Sequence, residues 1–109
     1  IYDSIYKDFD SSCYKGKIFY GGLDLGYNIL KLVEDVNVNE IHVVEETSDI
    51  IDIISPRLSN KKIKIFKGNP LRDVPDMYDH MIWTDYQFWL YNEDGGSYTQ
   101  NYLKSKYIK

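Results

Sequence analysis

Glycines and an aspartate stand close together in the segment YGGLDLGYN, residues 20–28. Gly22, Asp24 and Gly26 occupy the three positions of a G-x-G-x-G array between an apolar run and a helix-like run. Such a turn lets a ligand approach the backbone, and the following helix N-terminus provides free N–H groups. The carboxylate of Asp24 would repel a pyrophosphate, but it could accept hydrogen bonds from an amine or hydroxyl, or pair with a cation. The alternative is a tight connection without a ligand, in which the helix dipole stabilises Asp24.

Three further polar residues follow predicted strands. Glu45 ends an apolar run about twenty residues after the glycines, where an acidic residue can accept both ribose hydroxyls of an adenosine. Asn69 follows the third run, and Asp85 closes the fourth. Ligands of open α/β sheets bind at the carboxyl ends of the strands, so these residues predict a single cleft. A solvated strand end for Glu45 and a loop cap for Asp85 are the structural alternatives.

Strands and helices that alternate along the chain must position these residues. Short apolar or alternating runs predict four strands, within the segments KIFYGG, EIHVVEE, KIKIFKGNP and YDHMIWTD. Apolar residues at helical spacing, with Val36 among them, predict a first helix, and TSDIIDIISPRLS predicts a second. The segment EDGG predicts a turn, and Thr99 the start of a last helix. Connections through helices require parallel strands with right-handed crossovers, so the fold class is α/β.

Length, charge and cysteine content restrict the class of protein. The chain has 109 residues, which predicts one domain over residues 16–109 after an N-terminal extension, residues 1–15. A net charge of −4 makes nucleic acid an unlikely partner. The single cysteine, Cys13, excludes an internal disulfide and indicates a reducing compartment. With no signal-peptide pattern and no membrane-length apolar run, the predicted location is cytoplasmic. His42 and His80 lack metal-ligand spacing relative to Cys13, so no metal site is predicted.

The order and spacing of four segments resemble a known family. KIFYGGLDLGYNILKLVE, IHVVEET, IKIFKGNPL and MYDHMIWTDY are together similar to the class I S-adenosylmethionine-dependent methyltransferase fold. Within it, the chain looks most like the spermidine-synthase-like branch, including short phage and bacterial proteins. The resemblance covers residues 16 to about 86 and implies a minimal Rossmann-like three-layer sandwich. Its mostly parallel sheet would have the strand order 3-2-1-4.

The resemblance also implies roles for single residues. Gly22, Asp24 and Gly26 match the loop beneath the methionine part of the cofactor S-adenosylmethionine. Glu45 matches the ribose-binding acid, and Asp85 matches the end of strand 4, where the acceptor and the transferred group meet.

Three positions depart from the family's pattern. Asn69 matches the contact to the adenine amine, where the family usually has an acidic residue. Asp24 replaces the middle glycine, and Tyr20 stands where an acidic residue usually precedes the loop.

Three functions are compatible with these residues. The first is a methyltransferase-like or aminopropyltransferase-like protein that binds S-adenosylmethionine and acts on a small-molecule acceptor. The second is a catalytically inactive, truncated relative that serves as an interaction or oligomerisation module, because the family's fold continues through three more strands. The exposed edge of strand 4 could be covered by the aromatic segment that follows it, which includes Trp89 and Tyr91, or it could pair with a second subunit, so a homo-oligomer is expected. The third is a nicotinamide-dinucleotide site, which Asp24 disfavours.

Overall fold

The computed structural model describes residues 11–23, 25–83 and 93–109. In chain order its main elements are β1 (Gly16–Gly21), α1 (Tyr27–Glu34), β2 (Val38–Glu45), α2 (Ser48–Ile54), β3 (Ile63–Lys67), β4 (His80–Trp83) and α3 (Glu93–Tyr107). Single 3₁₀ turns at Ser11–Cys13 and Ser55–Leu58 precede β1 and follow α2.

The four strands form one sheet in the order β3-β2-β1-β4, and every described pair is parallel. The central strand β1 has Phe19 between His42 of β2 and Met81 of β4. The α/β class, the parallel pairing and the strand order 3-2-1-4 are therefore confirmed. Because the strands are parallel, the residues that follow each of them meet at one carboxyl edge.

One face of the sheet packs against α1 and α2. Alternate residues of the central strands point to this face because side chains alternate along a strand. Its buried side chains are Ile18, Tyr20, Leu23, Ile29, Leu32, Val38, Ile41, Val43, Ile54 and Leu58. This face forms the larger apolar core among the described residues. Leu23, in the loop between β1 and α1, is part of this core and so anchors the loop to it.

The opposite face is covered by α3 and by the connection from β3 to β4. Its buried side chains are Phe19, Val44, Tyr78, Met81 and Leu103. Tyr107 and Ile108, at the end of α3, pack against this cluster. The chain therefore has helices on both sides of the sheet, which is the predicted three-layer arrangement.

Two predicted helix boundaries are wrong. Helix α1 ends at Glu34, and Val36 is 86% exposed instead of buried. The backbone of Asp35 is extended and its carboxylate accepts the N–H of Asn37 at 2.9 Å, so a local side-chain bond ends the helix. Helix α3 begins at Glu93, not near Thr99, and the segment EDGG is helical.

Candidate functional site

The loop between β1 and α1 needs glycine at both ends. Gly22 has φ 94° and Gly26 has φ 83°, in the left-handed region that other residues rarely adopt. The N–H of Gly22 donates to the carbonyl of Val44 at 2.9 Å, which fixes the loop to β2. A Cβ on Gly26 would lie 3.2 Å from Leu58 Cδ2, tighter than ordinary van der Waals contact. The glycines of the predicted motif therefore have a conformational cause, whether or not a ligand binds.

Glu45 lies at the carboxyl end of β2, directly beside this loop, and is 1% exposed. Its Oε1 accepts the backbone N–H of Leu23 at 2.7 Å, and its Oε2 accepts the N–H of Thr47 at 2.9 Å. One carboxylate thus connects the glycine loop to the residue that precedes α2. The solvated strand end that the sequence left open is excluded, because Glu45 is a buried group with two hydrogen-bonded oxygens.

The burial of Glu45 limits how a ligand could reach it. A carboxylate has about four lone-pair sites, so Glu45 could accept two more hydrogen bonds beyond those from Leu23 and Thr47. At 1% exposure, however, its oxygens are covered. A ribose could contact Glu45 only after the loop or the side chain moves.

The turn after β3 is stabilised by its own polar side chains. The side-chain oxygen of Asn69 accepts the N–H of Leu71 at 2.9 Å, and Asp73 Oδ2 accepts the N–H of Asn69 at 2.7 Å. The Arg72 guanidinium and the Asn69 N–H both favour the ionised form, so the pKa of Asp73 lies below its ordinary value. Asn69 therefore closes a local turn. The N–H of Gly68 donates to the Glu45 carbonyl at 3.0 Å, which places this turn beside the end of β2.

Trp83 is a feature of this edge that sequence reasoning missed. Its indole Nε1 donates to the carbonyl of Pro70 at 2.8 Å, which connects the end of β4 to the turn after β3. Its ring lies against Gly21, where an added Cβ would be 2.3 Å from Trp83 Cδ1. The signal in the sequence is the glycine at the end of a buried strand, since such a glycine often marks a close approach.

The structure therefore brings together part of the predicted site. Gly22, Gly26 and Glu45 form one hydrogen-bonded unit with the loop, and Asn69 lies at the neighbouring strand end. Asp24 and Asp85 lie outside the described residues. Within the described ranges, no group of three or more His, Cys, Asp or Glu side chains could bind a metal ion.

A second polar cluster lies on the α3 face of the sheet, around His42. His42 is 5% exposed, and its Nδ1 lies 2.8 Å from the hydroxyl of Tyr78. Its Nε2 contacts the carboxylate of Glu40, and Lys64 Nζ lies 3.6 Å from the same carboxylate. A carboxylate only accepts, so Nε2 carries a proton and, in the neutral ring, Nδ1 accepts the Tyr78 hydroxyl. Burial raises the pKa of Tyr78, so this hydroxyl stays protonated. His42 is thus a packed structural residue.

This cluster predicts acid-sensitive stability. The hydrogen bond from His42 keeps the pKa of Glu40 below its ordinary value of 4.5. A carboxyl whose pKa is lower in the folded state stabilises the protein at any pH above its pKa in the unfolded state. This contribution is lost as the pH falls through the pKa of the folded state. We expect urea unfolding between about pH 6 and pH 3 to show stability falling below about pH 4.5, and a weaker fall for Glu40→Gln. The matched control is Glu34→Gln on exposed α1 surface. Equal pH dependence of the two variants would contradict the assignment.

Comparison with known proteins gives a likeness of fold. No protein-family model and no curated protein sequence matches the chain. Similar solved structures include a dimethyladenosine transferase from Plasmodium falciparum, at TM-score 0.55 and 14% identity over 62% of this chain and 25% of that chain. A putative caffeoyl-CoA O-methyltransferase from Staphylococcus aureus matches at TM-score 0.54 and 20% identity, over 83% of this chain and 49% of that chain. StiE O-MT matches at TM-score 0.53 and 17% identity, over 73% of this chain and 30% of that chain.

At these identities the likeness concerns the fold. The chain spans only a quarter to about a half of the length of these structures. None of the described helices is both long enough and apolar enough to cross a membrane. The resemblance to the spermidine-synthase-like branch stays a prediction. The chain has the Rossmann-like α/β fold of the methyltransferases that it matches.

Proposed function

We propose that the chain binds S-adenosylmethionine at the carboxyl edge of its sheet, as a methyltransferase-like or aminopropyltransferase-like protein. The observation that carries the proposal is the Glu45 carboxylate, held at the end of β2 in hydrogen bonds to the glycine loop and to Thr47. A buried carboxylate beside a glycine turn has acceptors for ribose hydroxyls, and it needs no phosphate nearby. The matched methyltransferases support the proposal by likeness of fold, which is an analogy.

Each residue of the proposed site has a separate task. Glu45 would accept the ribose hydroxyls, and the loop from Gly22 to Gly26 would pass beneath the methionine part. Asn69 would contact the adenine amine with the acceptor capacity left on its side-chain oxygen, which already accepts one hydrogen bond. Asp24 would lie near the cationic end of the cofactor.

The transfer step would depend mainly on alignment. When bound, the cofactor would supply a sulfonium group that makes the carbon to be transferred electrophilic. The protein would hold the two reactants in line, and a carboxylate would remove a proton from the acceptor atom where that atom carries one. We assign this proton-accepting role to Asp85, on the basis of its position after the fourth strand in the sequence. The acceptor would be a small molecule.

The burial of Glu45 predicts that binding requires a local rearrangement. Because its oxygens are covered, the glycine loop or the Glu45 side chain must move before the ribose can reach the carboxylate. The free protein and the bound protein should therefore differ at Leu23 and Thr47, the two backbone donors. Chemical-shift changes at these amides on titration would report the displacement.

Isothermal titration calorimetry with S-adenosylmethionine and S-adenosylhomocysteine tests the proposal directly. Glu45→Gln should weaken binding of both by about tenfold or more, because a charged acceptor is lost. The matched control is Glu46→Gln, the exposed neighbouring glutamate, which should bind as the native protein does. A folded protein that binds neither ligand would refute the proposal. Tighter binding of NADH would favour the dinucleotide alternative.

One observation favours a second candidate function, an inactive relative that acts as an interaction module. The carboxylates of Glu45 and Asp73 and the side-chain oxygen of Asn69 are already bonded to the chain's own backbone. These described side chains therefore have hydrogen-bond partners without a ligand. In this case self-association would depend on the aromatic segment with Trp89 and Tyr91, which lies outside the described residues. Native mass spectrometry should then show an oligomer that Trp89→Ala and Tyr91→Ala weaken.

A further inference from the structure

Hydrogen bonds at the two ends of β3 define which of its backbone groups face β2. The carbonyl of Lys62 accepts the N–H of Ile41 at 2.7 Å, and the N–H of Gly68 donates to the carbonyl of Glu45 at 3.0 Å. In a parallel ladder, alternate residues of a strand direct both backbone groups to the same neighbour. The even-numbered residues of β3 therefore face β2, and the odd-numbered residues face away from the sheet.

The odd-numbered residues Ile63, Ile65 and Lys67 thus form the outer edge of β3. This strand is the last in the sheet order, so no described strand lies beside them. The N–H of Ile63 donates to the carbonyl of Asn60 at 3.1 Å in the preceding turn. Within the described ranges, no hydrogen bond reaches the carbonyls of Ile63 and Ile65 or the N–H groups of Ile65 and Lys67. These are the groups with which an added strand would pair.

The stretch that contains β3 is strongly basic. Residues 53–72 include six of the 13 lysines and arginines and no aspartate or glutamate, so seven basic residues face all 17 acidic ones in the rest of the sequence. Lys61, Lys64 and Lys67 are exposed. Lys64 Nζ lies 3.6 Å from the carboxylate of Glu40, whereas Lys61 and Lys67 form no ion pair with another described residue. An otherwise acidic chain therefore has one positively charged edge, which favours an acidic partner.

The two lysines of this strand lie on opposite faces of the sheet. Ile65 packs against the core on the α1 and α2 side, and Phe66 packs against the core on the α3 side. Because side chains alternate along a strand, Lys67 lies on the face of Ile65 and Lys64 on the face of Phe66. A phosphate backbone bound to one face would meet only one of these lysines. A strand added to the sheet would have side chains beside both.

We propose that the outer edge of β3 docks an extended acidic segment of another protein, which joins the sheet as a further strand. Backbone hydrogen bonds to the open groups hold the segment, and ion pairs across the strands select acidic residues. Two residues three positions apart on an extended segment point to opposite faces. Acidic residues with this spacing therefore match Lys64 and Lys67 in either strand direction. This docking does not require a bound cofactor.

A second copy of the chain fits this edge less well than an acidic segment does. Pairing of β3 with β3 would bring a second set of lysines to the same edge, and like charges on adjacent strands are destabilising. Lysines on an edge strand discourage this kind of self-pairing. An acidic segment removes the repulsion and uses the same charges for attraction.

Two peptides of equal composition test the proposal. Each has about eight residues of valine and threonine with two glutamates and is blocked at both ends, since such residues favour an extended strand. The first peptide has glutamates at its third and sixth positions, one for each face of the sheet. The control peptide has them at its third and fifth positions, so both lie on one face. NMR titration of the full chain should give a Kd about two- to fivefold lower for the first peptide, the range of one exposed ion pair across strands.

Amide hydrogen exchange reports whether the peptide pairs with the backbone of β3. The N–H of Ile65 faces outward and should exchange about fivefold or more slowly when the first peptide is near saturation. The N–H of Phe66 faces β2 and serves as the internal reference. Lys64→Gln combined with Lys67→Gln should remove the preference between the two peptides, whereas Lys104→Gln on the exposed surface of α3 should keep it.

Four results would overturn the proposal. The first is an Ile65 amide that is already protected in the free chain. The second is that neither peptide binds, or that both bind equally. A dimer in native mass spectrometry with Ile65 protected would assign the edge to a second copy. Tighter binding of an oligothymidylate of about eight nucleotides, without protection of Ile65, would assign the lysines to a polyanion.

Discussion

Replacing Glu45 with alanine is expected to lower the free energy of unfolding by roughly 3–5 kcal/mol, because each bond between a carboxylate and an N–H contributes about 1.5–3 kcal/mol. The substitution leaves the buried N–H of Leu23 and the N–H of Thr47 without their carboxylate acceptor. Small domains are stable by only about 5–15 kcal/mol, so the loss is large.

A graded series makes this prediction specific to the two hydrogen bonds. Glu45→Gln keeps one acceptor oxygen, so its cost should be smaller, at about 1–2 kcal/mol. Glu46→Ala is the matched control, since Glu46 is exposed beside Glu45, and it should change stability by less than about 0.5 kcal/mol. Urea unfolding followed by circular dichroism measures all three. Equal costs for the alanine variants at the two positions would contradict the structure of the loop.

This series also separates folding from function. If Glu45 serves only the loop, a variant that remains folded should show the same ligand response as the native chain. If it also holds the ribose, Glu45→Gln should weaken cofactor binding in a protein that is still folded.

Gly21→Ala is expected to have the second largest effect, at roughly 2–4 kcal/mol, from overpacking of about 1–3 kcal/mol and a lost hydrogen bond of about 1 kcal/mol. A Cβ on Gly21 would lie 2.3 Å from Trp83 Cδ1 and 2.7 Å from Trp83 Nε1, so the ring must move. Movement of the ring breaks its bond to the Pro70 carbonyl. The backbone of Gly21 is not in the left-handed region, so the cost comes from the indole alone.

A double-mutant cycle with Trp83→Ala tests this cause. Once the indole is removed, Gly21→Ala should cost less than about 1 kcal/mol, so the two substitutions should be strongly non-additive. Thermal and urea unfolding of the native chain, the two single variants and the double variant give the coupling. Additive costs would mean that something other than the Trp83 ring requires glycine at position 21.

The sheet could be predicted because its signals are local. Each strand is a short apolar or alternating run, and the helical patterns between the first three require parallel pairing. The end of α1 could not be predicted from periodicity, because Val36 continues the helical spacing while Asp35 ends the helix through a bond to Asn37. The start of α3 was also missed, because Gly95 and Gly96 have low helix propensity and indicate a turn in the sequence.

The candidate site was predictable in position but not in its bonding. Glu45 could be placed at a strand end from the run that precedes it. Its contacts with Leu23 and Thr47 depend on how two loops fold over the sheet edge, and no spacing rule indicates them. For the same reason, the sequence placed Trp83 in a strand but gave it no role. Its hydrogen-bond partner Pro70 lies in the turn after β3, which is distant in the sequence. The side chain of Asn69 was expected to contact a ligand, and no spacing rule indicated that its oxygen also accepts the N–H of Leu71.

The unequal cores on the two faces of the sheet suggest an order of events in folding. The larger core is built from residues 18–58, a contiguous stretch whose elements follow one another closely. The smaller one requires Leu103 of α3 to return across the sheet and meet Phe19, which lies far earlier in the chain. Short-range closure is faster, so the α1–α2 side should form first and α3 should dock last. In the native protein the same helix should be the first unit to open, and its release would expose Phe19, Val44 and Met81.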